Sequence, residues 1–203
     1  MISLGDIAEV RIGYSFRDGV NADPEEGIAI LQSKDMAVEA RVAAADLVRA
    51  QASRYDQWLV TRAGDVVLQP RGTCFPAILV TEGLTGALVA APLYLIRPDH
   101  DRADAAYLAA LINAPAVQAA LKAEAKGSYI PQVPADAIRG LCLPLPPLPE
   151  QRAIAALAAL AWQETRLAAE IAARRSVWLF ALACERDVGS SRRSSQGQAN
   201  APG

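Results

Sequence analysis

The sequence predicts an α+β chain: one mixed α/β domain over residues 1–148, a long C-terminal α-helix over 149–183 that pairs as a coiled coil, and a disordered tail over 184–203. Three observations predict it. Short runs rich in Val, Ile and Leu, bounded by Gly, Pro or Asp, dominate the first hundred residues and have the length of strands. A proline-dense hinge follows at Pro144-Leu145-Pro146-Pro147-Leu148-Pro149, stiff because successive prolines favour the extended polyproline conformation. Beyond it, apolar residues recur at spacings of three and four, and nothing breaks a helix until about Leu182.

Taken in order, Ala8–Ile12, Gly27–Leu31, Asp65–Gln69 and Ala77–Thr81 read as strands, and Leu84–Ile96 divides into pieces of strand size. Ala103–Asn113 reads as a helix with Tyr107, Leu108, Leu111 and Ile112 on one face. Pro115 suits the first position of a second helix, which runs through Val117, Leu121 and Lys122 to about Lys126, where Gly127 ends it. The loop Ser128–Gln132 leads into a short turn and a strand-like piece, Leu141–Leu145. Pro149 then opens the long helix, and Glu150 complements its dipole. Ile154, Leu157, Leu160, Leu167, Ile171 and Trp178 form its apolar stripe, which Glu164 and Arg174 interrupt. At about 1.5 Å per residue such a helix is roughly 50 Å long, and a single stripe on so long a helix wants a partner helix. After Asp187 the Ser-, Gly-, Gln- and Arg-rich residues 189–203 predict disorder.

Composition sets limits on function. The 52% hydrophobic fraction includes 42 alanines, so the larger apolar residues are present in ordinary globular proportion. Cys74, Cys142 and Cys184 are widely spaced and contain no C-x-x-C, which argues for a reducing compartment and against a disulfide framework or zinc site. There is no signal-peptide pattern and no run of eighteen apolar residues, so a soluble, cytoplasmic chain without membrane contact is expected. The net charge of −2 does not suggest nucleic acid. Residues 1–150 carry 13 Lys+Arg against 18 Asp+Glu, and the remainder 7 against 4, so any polyanion must meet a local patch rather than a basic domain.

A search for chemistry returns no catalytic or metal-ligating set. His100 sits in the turn-like Pro98-Asp99-His100-Asp101-Arg102, and no phosphate loop, dinucleotide fingerprint or nucleophile elbow is present. Asp99 with Glu124-Ala125-Lys126 has the letters of a magnesium nuclease, but Glu and Lys two apart on a helix do not face together. The connectors are richer. Arg17 follows the first strand, Gln32 and Lys34 the second, Gln69, Arg71 and Thr73 the third, and Lys126, Ser128 and Tyr129 the second helix. Each connector joins a cation to hydrogen-bonding or aromatic side chains, the mixture that contacts phosphates and reads base edges.

The ordered combination of motifs resembles the DNA-specificity (S) subunits of type I restriction–modification systems. Leu4-Gly5-Asp6-Ile7-Ala8-Glu9-Val10-Arg11-Ile12-Gly13 is similar to that family's start, and Ile30-Leu31-Gln32-Ser33-Lys34-Asp35-Met36 to its second landmark. Ala63-Gly64-Asp65-Val66-Val67-Leu68 with Arg71-Gly72, and Tyr107-Leu108 through Lys126-Gly127-Ser128-Tyr129-Ile130-Pro131, follow in the family's order. Most specific is Leu143-Pro144-Leu145-Pro146-Pro147-Leu148-Pro149-Glu150-Gln151-Arg152-Ala153-Ile154, which resembles the junction between a target-recognition domain and its spacer helix. The resemblance runs from about residue 3 to 182.

The resemblance implies a non-catalytic subunit that binds double-stranded DNA and docks on a DNA methyltransferase. That partner would bind S-adenosylmethionine and methylate a flipped adenine at N6, so this chain itself needs no cofactor. A restriction endonuclease subunit is an optional further member of such complexes. Family members carry two recognition domains separated by two antiparallel helices, whereas this sequence has one of each. A homodimer through the long helix is therefore expected, and two-fold symmetry would make its target a split palindrome. A spacer of roughly 50 Å corresponds to about 15 base pairs. The competing expectation is a helical adaptor or decoy that holds the methyltransferase without reading DNA.

Overall fold

In a computed structural model of the chain, the described residues are 1–16, 19–23, 25–36, 42–127 and 129–196, with side chains described as far as Trp178. Its order is β1 (Ile2–Ser3), β2 (Ala8–Ile12), β3 (Ile28–Leu31), β4 (Arg49–Ala50), β5 (Val66–Leu68), β6 (Ala77–Leu79), β7 (Leu88–Val89), β8 (Tyr94–Pro98), α1 (Ala105–Asn113), α2 (Pro115–Glu124), α3 (Ala135–Arg139), β9 (Cys142–Leu143) and α4 (Leu148–Gln196). The fold class is the mixed α+β arrangement with a long C-terminal helix that the patterning predicts.

The central sheet is antiparallel, in the order β2-β8-β5-β6, with Val10 opposite Ile96, Val67 opposite Leu95 and Val67 opposite Ile78. Strand alternation divides its side chains between two buried faces. Val66, Leu68, Tyr94 and Ile96 pack with Tyr107, Leu108, Ile112, Leu121 and Ile138 of the helices. Val67 and Leu95 pack instead with Leu31 and Val89, which belong to a three-stranded sheet ordered β4-β3-β7. Burial on both sides explains why β5 and β8 read as continuous apolar runs rather than alternating ones. β1 pairs with β9, closing the start of the chain onto the segment before the proline hinge.

A buried ion pair stitches the two inner strands of the central sheet, β8 and the entry to β5, to a short turn. Asp65 accepts from Arg97 Nε at 2.8 Å and Nη2 at 2.7 Å, and from the Arg62 backbone N–H at 2.8 Å. The Trp58 ring lies between the Arg97 and Arg11 guanidiniums, 4.5 and 4.4 Å from its centroid, a double cation–π stack.

Compact packing embraces Met1–Ala158, so the first turns of α4 belong to the domain; the remainder of α4 forms a second unit. Gln151 explains the first attachment. It is fully buried, accepts from the Asp104 N–H at 2.9 Å, and donates to Arg102 O at 3.0 Å and Pro146 O at 2.8 Å. Asp104 in turn caps α1 by accepting from the Tyr107 N–H. The Tyr107 hydroxyl donates to Pro144 O at 2.9 Å, and burial, with the Glu150 carboxylate second, pushes its pKa up, so it stays a donor.

Local differences from the sequence expectation have simple causes. α2 ends at Glu124 rather than Lys126, because the chain there turns to make backbone bonds with Gln132. α4 starts at Leu148, and its backbone stays helical to Gln196, past Leu182 and through Gly189; no proline interrupts it after Pro149. Residues 197–203 of the expected tail lie outside the described residues. Among the described residues no helix is long and apolar enough to cross a membrane.

Replacing Gln151 by Ala leaves three backbone groups at the junction without partners. We expect a loss of about 3 kcal/mol in urea unfolding of the full chain; a loss below about 0.5 kcal/mol would show that the amide is not a structural hub.

Candidate nucleic-acid interface

Two connectors that lie far apart in sequence are zipped together by backbone hydrogen bonds. Lys126 and Gln132 exchange both their N–H and C=O groups at 2.9 Å, closing a small loop over Gly127–Pro131. Gly72 N donates to Pro131 O at 3.0 Å, and Val133 N donates to Pro70 O at 2.9 Å. Arg71 and Lys126 are therefore both bridged to the same residue, Gln132. Gly72 at φ +120° and Gly127 at φ +111° occupy backbone conformations that L side chains rarely adopt, and each sits at a bend of the zipper.

The platform presents cations and an aromatic to solvent. Arg71, Thr73, Cys74 and Lys126 are exposed, Tyr129 is 94% exposed and Ile130 46%. Among the described residues neither Arg71 nor Lys126 takes part in an ion pair. Gln69 differs from the others. Its Nε2 donates to Arg71 O at 3.0 Å and its buried Oε1 has no partner, so the side chain is turned onto its own loop.

The other expected positions fall elsewhere. Lys34 is exposed on the short turn Ser33–Asp35 after β3. Gln32 begins that turn, and its N–H donates to Asp35 Oδ2 at 2.9 Å. Among the described residues no hydrogen bond joins this turn to the platform. Arg17 and Ser128 lie outside the described residues. His100 is exposed, its ring beside Gly64, where a Cβ would meet the imidazole at 2.8 Å. Asp99 accepts from the Asp101 N–H within its own turn, and among the described residues no group of three or more His, Cys, Asp or Glu side chains could hold a metal.

Sequence reasoning missed the supports beneath the platform. Gln118 Oε1 accepts from the Phe75 N–H at 3.0 Å while its Nε2 donates to Phe75 O at 2.8 Å. Two residues on, Asn113 does the same to Ala77, at 3.0 and 2.7 Å. The two side-chain amides thus stand in for a neighbouring strand along the open edge of β6, satisfying groups that would otherwise be free to pair with another chain. They also fix the outgoing end of the Arg71 loop to α1 and α2, the second of which leads into the Lys126 loop. Only their identity as amides near a helix junction hints at this in the sequence.

No protein-family model matches the chain, and no curated protein matches its sequence. Its structure is similar to those of type I restriction–modification proteins. A chain from a study of complex assembly and conformational transition of the type I system matches with a TM-score of 0.60 at 20% identity, over 80% of this chain and 38% of that one. The type I S subunit from M. genitalium matches at 0.54 and 13% identity, over 78% and 37%. The S (HsdS) subunit from Thermoanaerobacter tengcongensis matches at 0.56 and 20% identity, over 80% and 37%. The chain thus has the fold of type I S subunits, as its motifs led us to expect, and spans under two fifths of the length of each.

The amide supports make a measurable difference to the platform. In Asn113→Ala and Gln118→Ala, hydrogen exchange at the Ala77 and Phe75 amides respectively should accelerate at least about tenfold, with about 1–2 kcal/mol lost in stability. Unchanged protection would mean that the amides do not hold the edge.

Proposed function

We propose that this chain is the specificity subunit of a type I restriction–modification complex, a non-catalytic module that binds double-stranded DNA and directs an adenine-N6 methyltransferase to its target. One observation carries the reading beyond fold: two exposed cations without carboxylate partners, an exposed tyrosine and small polar groups share one backbone-zipped platform. Phosphates are met by such cations, and base edges by Arg and small hydroxyls. Arg71, Lys126, Thr73 and Tyr129 are the contacts, Gln69 sets the Arg71 backbone, Gln32 and Lys34 offer a separate contact on their own turn, and Arg17 and Ser128 are contacts expected from sequence alone. The methyltransferase supplies the S-adenosylmethionine site and the chemistry, and an endonuclease subunit is its optional companion.

The long helix supplies the second half of the reading. Ile154, Leu157, Leu160, Leu167, Ile171 and Trp178 are exposed along α4, a stripe that a lone soluble helix does not leave to water over such a length. A second copy covers it as a coiled coil, and the homodimer presents two platforms to a split, palindromic DNA site. The net charge does not oppose this. Two of the carboxylates are neutralised within the chain by arginines, Asp65 by Arg97 and Asp136 by Arg139, and among the described residues neither Arg71 nor Lys126 is paired with a carboxylate.

Binding of the full chain to duplex DNA, measured against salt, tests the platform. Arg71→Ala and Lys126→Ala should each weaken binding roughly tenfold and flatten the slope of log K against log salt by about one. Equal affinity and slope in all three proteins would sink the platform and favour the adaptor reading.

A further inference from the structure

The stripe of α4 is more regular than its apolar members alone suggest. Leu157, Leu160, Glu164, Leu167, Ile171, Arg174 and Trp178 follow one another at spacings of three and four without a break, the two inner positions of a heptad repeat. All seven lie in one continuous helix and all are exposed. The two charged members have opposite signs. They stand ten residues, or roughly 15 Å, apart along the axis, beyond reach of one another in the same helix. Among the described residues neither is ion-paired along its own helix.

The order of this seam is symmetric about residue 169. Counting outward from it, Leu167 answers Ile171, Glu164 answers Arg174, and Leu160 answers Trp178. We propose that a second copy of the chain pairs antiparallel along α4 in the single register that sets Glu164 against the partner's Arg174 on both sides of a two-fold axis at residue 169. This rests on the dimer reading above and on the antiparallel helices that the resemblance implies, and adds the register and the two charges that set it. In that register six of the seven seam residues pair among themselves: Leu160 with the partner's Trp178, Leu167 with the partner's Ile171, and each charge with its opposite. A parallel pair would bring Glu164 against the partner's Glu164 and Arg174 against the partner's Arg174. Sliding the antiparallel pair by one heptad would set Glu164 against the partner's Leu167 and Arg174 against the partner's Leu157 in one direction, and Arg174 against the partner's Ile171 in the other. Polar residues at inner heptad positions weaken a coiled coil but select its register, and here they also select its direction.

Sedimentation equilibrium of the full chain at low and high salt tests the register. Glu164→Arg or Arg174→Glu alone makes both cross-axis contacts like-charged and should weaken dimerisation at least about tenfold at low salt, less at high salt. Glu164→Gln, which removes charge without repulsion, should weaken it by a few-fold. The double variant Glu164→Arg/Arg174→Glu restores both pairs and should return to within about threefold of the parent. Both positions are exposed on the helix, so unchanged helical circular dichroism accompanies each result. Single reversals that leave the dimer untouched, as parallel pairing predicts, would overturn the register while leaving the dimer standing, as would losses that add in the double variant. A parent chain that stays monomeric at tens of micromolar would overturn the dimer reading and the register together.

Discussion

One buried amide holds the domain to its helix. Gln151 lies in the first turns of α4, yet all its side-chain hydrogen bonds go to other segments: the Asp104 N–H that opens α1, Arg102 O before it, and Pro146 O in the proline hinge. Prolines there cannot donate backbone hydrogen bonds, and the hinge carbonyls need donors. A glutamine meets both demands, because one end of its side chain donates twice and the other accepts. A residue that could only donate or only accept would leave part of the junction unpaired. The cluster Pro-Glu-Gln-Arg is thus a piece of mechanics: proline and glutamic acid favour the helix start, and glutamine ties that start to Asp104, Arg102 and the proline hinge.

The same economy of side-chain amides recurs at the proposed reading surface. Asn113 and Gln118 pair with the open edge of β6, and Gln69 holds the Arg71 backbone. Backbone bonds between Pro70, Gly72, Lys126, Pro131 and Gln132 then fuse two loops into one platform. Such a surface fixes the backbone beneath its exposed cations without using carboxylates, which would cancel the charge that the proposed function requires. Several aspartates elsewhere are occupied in caps, turns and the Asp65–Arg97 pair.

Much of the fold was legible because burial leaves a period in the sequence. β2 falls at Ala8–Ile12 as read, and α1 and α2 begin within two residues of and at their expected starts, Pro115 marking the second. What escaped was short or nonlocal. β1 and β4 have two residues each, too few to show alternation. The Leu84–Ile96 run hides a tight turn between β7 and β8, since both flanks are buried on both faces. At the site, Arg71, Thr73, Lys126 and Tyr129 were legible from chemistry, but their meeting was not. It depends on backbone bonds to Gln132 and Pro131, residues whose side chains announce nothing. Gln69 was read as a contact and proves to be turned inward, a distinction composition cannot make.

The central claim is that this chain chooses DNA sequence for another protein's chemistry. The most direct measurement is single-molecule sequencing of DNA methylated by an adenine methyltransferase purified together with this chain. The account predicts N6-methyladenine in a split, palindromic motif, appearing only when the chain is present. Methylation that ignores the chain, or that falls in one unsplit motif, would contradict it.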